Sequence, residues 1–393
     1  MAVYLDHAAT TPIRPEVLLR YTQDLALVGN PSSVHGFGQK ARQTIEEARE
    51  QLAAAVGCHR SEVVFTSGGT EADNLAIKGL YWSRFKADNR RRIIVSTAAE
   101  HHAVLDALEW LETHGPADQR AELHLLDLDE NGQFNLEALE QFLLERGDEV
   151  ALISLMWANN ETGVVAPIAK VCQIARQYKV PVHSDAVAAF GHVPVHFAGS
   201  GLALLTVTAH KLGGPVGVGA LIVSRDIELV PVNHGGGQER KLRSGTLNAA
   251  GAGAFALAAS TARNTLIERA TRDAALKAKL IAGIKAIAPA AEITAETGET
   301  LPSTVHVRFT DCPGDSLLVL LDMKGVAVST GSACQAGVIN ASHVMLAMGR
   351  TEDAASECIR ISFGYDTSET EIDELLAALP AAYQGSRKAG AVR

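Results

Sequence analysis

Lys211 stands where an apolar run meets a turn, in Leu204-Leu205-Thr206-Val207-Thr208-Ala209-His210-Lys211-Leu212-Gly213-Gly214-Pro215. An amine held at the end of a buried strand is partly desolvated, which lowers its pKa and makes it a better nucleophile toward a carbonyl. Taken alone, Lys211 is more simply read as the first solvent-facing residue after a strand. Asp185 ends a second such run, Val180-Pro181-Val182-His183-Ser184-Asp185. A carboxylate in that position needs compensation, from a salt bridge, a helix cap or a protonated ring nitrogen. Ser67-Gly68-Gly69-Thr70 precedes a helical segment, and free N–H groups at a helix start favour a phosphate. His101 and His102 lie at a strand–helix junction, where a histidine caps, packs or stacks on an aromatic ring.

Together these residues form a coherent set. A phosphate cradle, a carboxylate for a pyridinium, a ring-stacking histidine and a strand-end lysine are what pyridoxal 5'-phosphate requires. The elements that must position them alternate along the chain. Apolar strands at Val63–Phe65, Ile93–Val95, Leu123–Leu128, Val150–Met156, Val180–Asp185 and Leu204–Thr208 are separated by helical patterns, and Gly219–Val223 reads as one more strand, in either a parallel or an antiparallel pairing. This predicts an α/β fold with a mostly parallel sheet, whose ligands bind outside the strands' carboxyl ends. Gly69, Thr70, His101, Asn160, Asp185 and Lys211 all fall at such ends. An alanine-rich helical stretch from about Asn248 to Ala288 leads to a smaller α+β region. The expected division is a large domain at 15–259 and a small one formed by 1–14 and 260–393. The polar tail from Gln384 to Arg393 is expected to fray.

Cys334 has a setting of its own. It lies in Ser329-Thr330-Gly331-Ser332-Ala333-Cys334-Gln335-Ala336-Gly337, a loop of small residues that offers a side chain little to pack against. Since cysteine is usually buried, this position suggests reactivity. Cys58, Cys172, Cys312 and Cys358 read as structural.

The sequence resembles the cysteine desulfurases of the class V aminotransferase-like enzymes over nearly its whole length. The matching motifs include Gly68-Gly69-Thr70-Glu71-Ala72-Asp73-Asn74, Glu100-His101-His102-Ala103-Val104, Asn159-Asn160-Glu161-Thr162-Gly163, Ser184-Asp185-Ala186, Ala209-His210-Lys211, Gly235-Gly236-Gly237-Gln238-Glu239-Arg240, Arg243-Ser244-Gly245-Thr246 and Gly331-Ser332-Ala333-Cys334. The Ser-Ala-Cys loop is similar to that of the nitrogen-fixation and iron–sulfur-cluster subgroup. The resemblance implies fold type I of the pyridoxal-phosphate transferases and a homodimer. It implies that Lys211 is the Schiff-base lysine and moves the α-proton, that Asp185 pairs with the ring nitrogen, and that His101 stacks on the ring. Gly69, Thr70, Thr208 and His210 would hold the phosphate, with Thr246 from the second subunit. Asn160 would orient cofactor and substrate, Arg360 would bind the α-carboxylate of L-cysteine, and Cys334 would be the nucleophile that carries a persulfide to an acceptor protein, such as an iron–sulfur scaffold or a tRNA-thiolation enzyme. One position departs from the pattern. The family's usual glutamine three residues after the aspartate, a donor to the cofactor's phenolic oxygen, is Ala188 here.

Composition narrows the alternatives. A net charge of -10 over 393 residues argues against nucleic-acid binding. No apolar run approaches a membrane span, and the N-terminus does not read as a signal peptide. Five cysteines without a CxxC spacing fit a reducing cytosol, with neither a disulfide framework nor a metal site. The rival readings are a related lyase, such as a selenocysteine lyase or cysteine sulfinate desulfinase, and a non-catalytic interaction protein that keeps the fold.

Overall fold

The chain opens with a short strand, β1 (Val3–Tyr4), and then alternates strand and helix. The computed structural model describes residues 2–331 and 341–390. Seven strands form the central sheet: β2 (Val63–Thr66), β3 (Ile93–Thr97), β4 (Glu122–Leu126), β5 (Val150–Ser154), β6 (Val182–Asp185), β7 (Leu204–Thr208) and β8 (Gly219–Val223). Their order is β2-β8-β7-β6-β5-β3-β4, and β8 runs antiparallel to both of its neighbours while the other pairings are parallel.

The sheet is covered on both faces, which is why its strands read as continuous apolar runs. Leu205, Ile222 and Ile93 point to one core, shared with Ile45 and Leu52 of the helix Gly36–Val56 and with Phe255 of the helix Ala249–Asn264. Their sequence neighbours Leu204, Leu221 and Ile94 point to the opposite core, shared with the helices Gly69–Ala87 and His102–Thr113. Each of these side chains is at most 2% exposed. Truncating one of them to alanine typically costs about 2–5 kcal/mol.

A second region has its own core. Val3 and Leu5 pack there with Leu276, Leu280, Val305, Ile359 and Leu375. Its sheet pairs β9 (Glu292–Ile293), β10 (Thr304–Arg308) and β12 (Cys358–Ser362) antiparallel in the order β12-β10-β9, and β11 (Val326–Ala327) runs parallel to β1.

Two sequence expectations need correction. The alanine-rich stretch is two helices, Ala249–Asn264 and Leu266–Ile287, broken at Thr265, whose hydroxyl donates back to the Thr261 carbonyl at 2.9 Å. The tail does not fray from Gln384. Its helix, Glu369–Gly390, is held by buried Leu379 and Ala382 and by a Ser386 hydroxyl that donates to the Pro313 carbonyl at 3.0 Å. Among the described residues, no helix is long and apolar enough to cross a membrane.

Candidate active site

The carboxyl ends of β2, β6 and β7 open on one cavity of about 310 Å³. Lys211 enters it from the turn after β7, where the amides of Leu212 and Gly214 both donate to the Ala209 carbonyl. Its Nζ donates to the carbonyls of Ala8 and Ala9, the latter at 2.9 Å. Those carbonyls belong to a strap, residues 6–14, that crosses the turn. The Thr11 amide donates to the His210 carbonyl at 3.0 Å and the Arg14 amide to the Gly213 carbonyl at 2.9 Å.

Asp185 ends β6 beside Thr206 of β7 and is 6% exposed. Its Oδ1 accepts from the Val187 amide at 2.8 Å. Burial raises its pKa to about 6, against the opposing pull of that amide and of Lys211. Gly69 and Thr70 begin the helix Gly69–Ala87, whose N-cap is Gly68 and carries no capping side chain, so the first amides are left for an anion. A glycine is required at Gly219 for this cradle to form, because a Cβ there would meet the Gly68 backbone at 2.8 Å. Thr208, 3% exposed, and His210 complete this side of the wall.

His101 caps the helix His102–Thr113, its Nδ1 accepting from the Ala103 amide at 3.1 Å. Burial, helped by the charge of Lys211, lowers its pKa to about 4. The ring is therefore neutral near pH 7, with its proton on Nε2. Arg360 lies in β12 and is 3% exposed. It donates from Nη1 to the Asn160 carbonyl at 2.8 Å and from Nη2 to Asp6 Oδ1 at 2.7 Å, and its buried Nε has no partner. Arg360 and Asn160 both line the cavity.

Two of the residues singled out in the sequence are not placed there. Thr246 is exposed and does not line this cavity, and Cys334 lies outside the described residues. Conversely, the sequence reading did not assign site roles to Asp6, Asp73, Glu100 or the Ala8 and Ala9 carbonyls. Asp73 lines the cavity one helical turn after Gly69, a spacing that could have flagged it. Burial, with the charge of Asp185 next, holds its pKa well above the usual carboxylate range. Glu100 accepts from the Met156 amide at 3.0 Å and from Thr97 at 3.2 Å. Burial raises its pKa to about 8.

The class-V aminotransferase profile matches residues 3–375. The chain is a member of the class-V aminotransferase family. Among its class-V relatives, an "IscS-like cysteine desulfurase" of Mycobacterium tuberculosis is 45% identical over 98% of this chain and 97% of that protein. A "Cysteine desulfurase NifS" of Azotobacter vinelandii is 38% identical over 96% of this chain and 92% of that protein. Of the solved structures, a "NIFS-LIKE PROTEIN" superposes with a TM-score of 0.89 at 34% identity, covering 97% of this chain and 99% of that one. DndA from Streptomyces lividans does so at 0.74 and 34%, covering 91% and 99%.

Class-V aminotransferases use pyridoxal phosphate, and the cavity's chemistry suits it. A helix start without a capping side chain, a carboxylate whose pKa burial raises, and a lysine all border one cavity. At Ala188 this class-V site presents only a methyl group to the cavity, so its side chain offers no hydrogen bond there.

Proposed function

We propose that this protein is a pyridoxal-phosphate-dependent cysteine desulfurase that converts L-cysteine to L-alanine and passes the sulfur on. The observation that carries this is the convergence of Lys211, Asp185, His101, the Gly69–Thr70 helix start and Arg360 on one cavity. Bound pyridoxal phosphate supplies an electron sink that acidifies the substrate's Cα–H and activates its Cβ–Sγ bond. Gly69, Thr70, Thr208 and His210 would hold its phosphate, Asp185 its ring nitrogen, and Lys211 its carbonyl carbon.

The chain's own residues divide the remaining work. Arg360 lines the cavity and receives the substrate α-carboxylate while Asp6 and the Asn160 carbonyl hold the guanidinium in plane. The Lys211 amine takes the proton from Cα. His101, neutral and protonated on Nε2, presents a donor to the reacting centre. The Cys334 thiolate attacks the substrate sulfur: an S–S bond forms, Cβ–Sγ breaks, and Cβ keeps the electron pair and then takes a proton to give alanine. Cys334 is left as a persulfide.

The other cysteines are poor candidates for that step. Burial pushes the Cys58, Cys172 and Cys358 thiols up to about 12 and raises Cys312 as well. All four are unpaired, which supports a reducing, cytoplasmic setting. A homodimer is supported by Thr246, exposed on a segment that the Arg243–Glu71 pair ties to the phosphate cradle, and by large exposed apolar side chains such as Val28, Val34 and Phe37. The acceptor is a sulfur-carrying protein, such as an iron–sulfur scaffold, a tRNA-thiolation enzyme or another carrier. The division into 15–259 and 1–14 plus 260–393 is supported by the separate core around Val3, Leu280 and Ile359.

The test is mass spectrometry of Cys334 after treatment with cysteine, beside the turnover of Cys334→Ser. A mass gain of one sulfur on Cys334 and loss of alanine production in the variant are expected. Full activity of Cys334→Ser would defeat the desulfurase reading in favour of a cysteine-independent lyase.

A further inference from the structure

Glu161 is 1% exposed, and among the described residues no salt bridge to lysine or arginine takes up its carboxylate. It sits on a stiff turn. The Asn159 side chain accepts from the amides of Glu161 and Thr162, both at 2.9 Å, and donates to the Ala99 carbonyl at 2.9 Å. From this mount the carboxylate meets two residues far away in sequence and close to each other in space. The Ser342 hydroxyl donates to Glu161 Oε2 at 2.5 Å. Gly331 packs directly on the same oxygen, so closely that a Cβ at that position would collide with it. Gly331 and Ser342 are the two roots of the segment that bears Cys334.

Other contacts fix each root. Ser329 exchanges backbone hydrogen bonds with Arg360, at 3.1 and 2.6 Å. Next to Ser342, His343 bonds through Nε2 to the Glu100 carbonyl at 2.9 Å, just before His101. Glu161 touches both roots. Its neighbour Asn160 holds Arg360 through its carbonyl.

We propose that Glu161 is the positioning residue of the Cys334 segment: a single buried carboxylate pins both of its ends and ties them to the turn that orients Arg360. This explains why a glycine precedes Ser332, since only a residue without a side chain fits against the carboxylate. It also assigns Ser342 a function that composition alone does not suggest. The catalytic consequence rests on Cys334 being the nucleophile, whereas the anchoring does not.

The experiment compares the holoenzyme with Glu161→Gln, Ser342→Ala and Gly331→Ala. Three quantities are read: cleavage between residues 331 and 342 by a nonspecific protease, alkylation of Cys334 by iodoacetamide, and the split between kcat and KM for cysteine. Loss of one charge-assisted hydrogen bond is expected to speed cleavage and alkylation about tenfold. The kcat falls by a similar factor, while KM and the cofactor's absorbance stay as in the parent. Ser342→Ala and Gly331→Ala carry the test if Glu161→Gln fails to fold. Parental cleavage and alkylation rates in these variants overturn the proposal, even where melting temperature drops. Full activity of Cys334→Ser removes the desulfurase reading instead, and anchoring is then judged on cleavage alone.

Discussion

Arg360 and Ala188 show how much of the proposed chemistry depends on single side chains. The guanidinium already has two bonds fixing its plane, so a substrate carboxylate meets a fork that needs no reorganisation. Lysine in its place keeps the charge and loses the fork. Arg360→Lys is expected to raise KM for cysteine by roughly tenfold to a hundredfold, the equivalent of a charge-assisted hydrogen bond worth ~1.5–3 kcal/mol. Steady-state kinetics against cysteine concentration measures this. At Ala188 the expectation runs the other way. Ala188→Gln adds a donor to the cavity wall, so cofactor binding tightens and the pH titration of its absorbance shifts. An unchanged titration would show that this position does not touch the cofactor's electronics. Lys211 and Asp185 were legible in the sequence because each ends an apolar run. Asp6 was not, because its relation to Arg360 is a contact across 354 residues that no spacing records.

At the scale of elements, the phosphate cradle is set by how closely β8 approaches the start of the helix Gly69–Ala87. Gly219→Ala would place a methyl group 2.8 Å from the Gly68 backbone, where nothing flexible can yield. Overpacking of this kind costs about 1–3 kcal/mol. Because it falls on the cradle, weaker cofactor binding is expected, read by titrating cofactor-free protein with pyridoxal phosphate. The alternation of strand and helix was readable because buried strands and amphipathic helices have different periods. Two features were not. The break at Thr265 lies in an alanine-rich run where helix propensity continues unchanged, and only packing against two different cores separates its halves. The helical end at Ser386 depends on the Pro313 carbonyl, which local polarity does not reveal.

For the whole molecule, the buried acids couple stability to pH. Glu100 is raised to about 8 and Asp185 to about 6, both chiefly by burial, and Asp73 lies beside them. In the unfolded chain these groups titrate near 4. Between those values these acids hold more protons in the native state than in the unfolded one, so their contribution to stability falls as pH rises through the window. Buried histidines such as His101 and His183, whose pKa values burial lowers, contribute the opposite slope, so the acids' contribution is read by difference: relative to the parent, cofactor-free Glu100→Gln is expected to fare better at pH 8 than at pH 6. Scanning calorimetry at the two pH values decides this.

The strap at residues 6–14 has a consequence in time. Its residues are made well before β12, which receives Asp6 and Ala8 at Ser362. At ~5–20 residues per second, about 350 further residues take roughly 20–70 s. For that interval the strap can rest on the lysine turn through Thr11 and Arg14, while its end at Asp6 and Ala8 lacks its partner in β12. Arg360 and the Asp6 end of the strap are thus joined after the lysine turn and the phosphate cradle have been made.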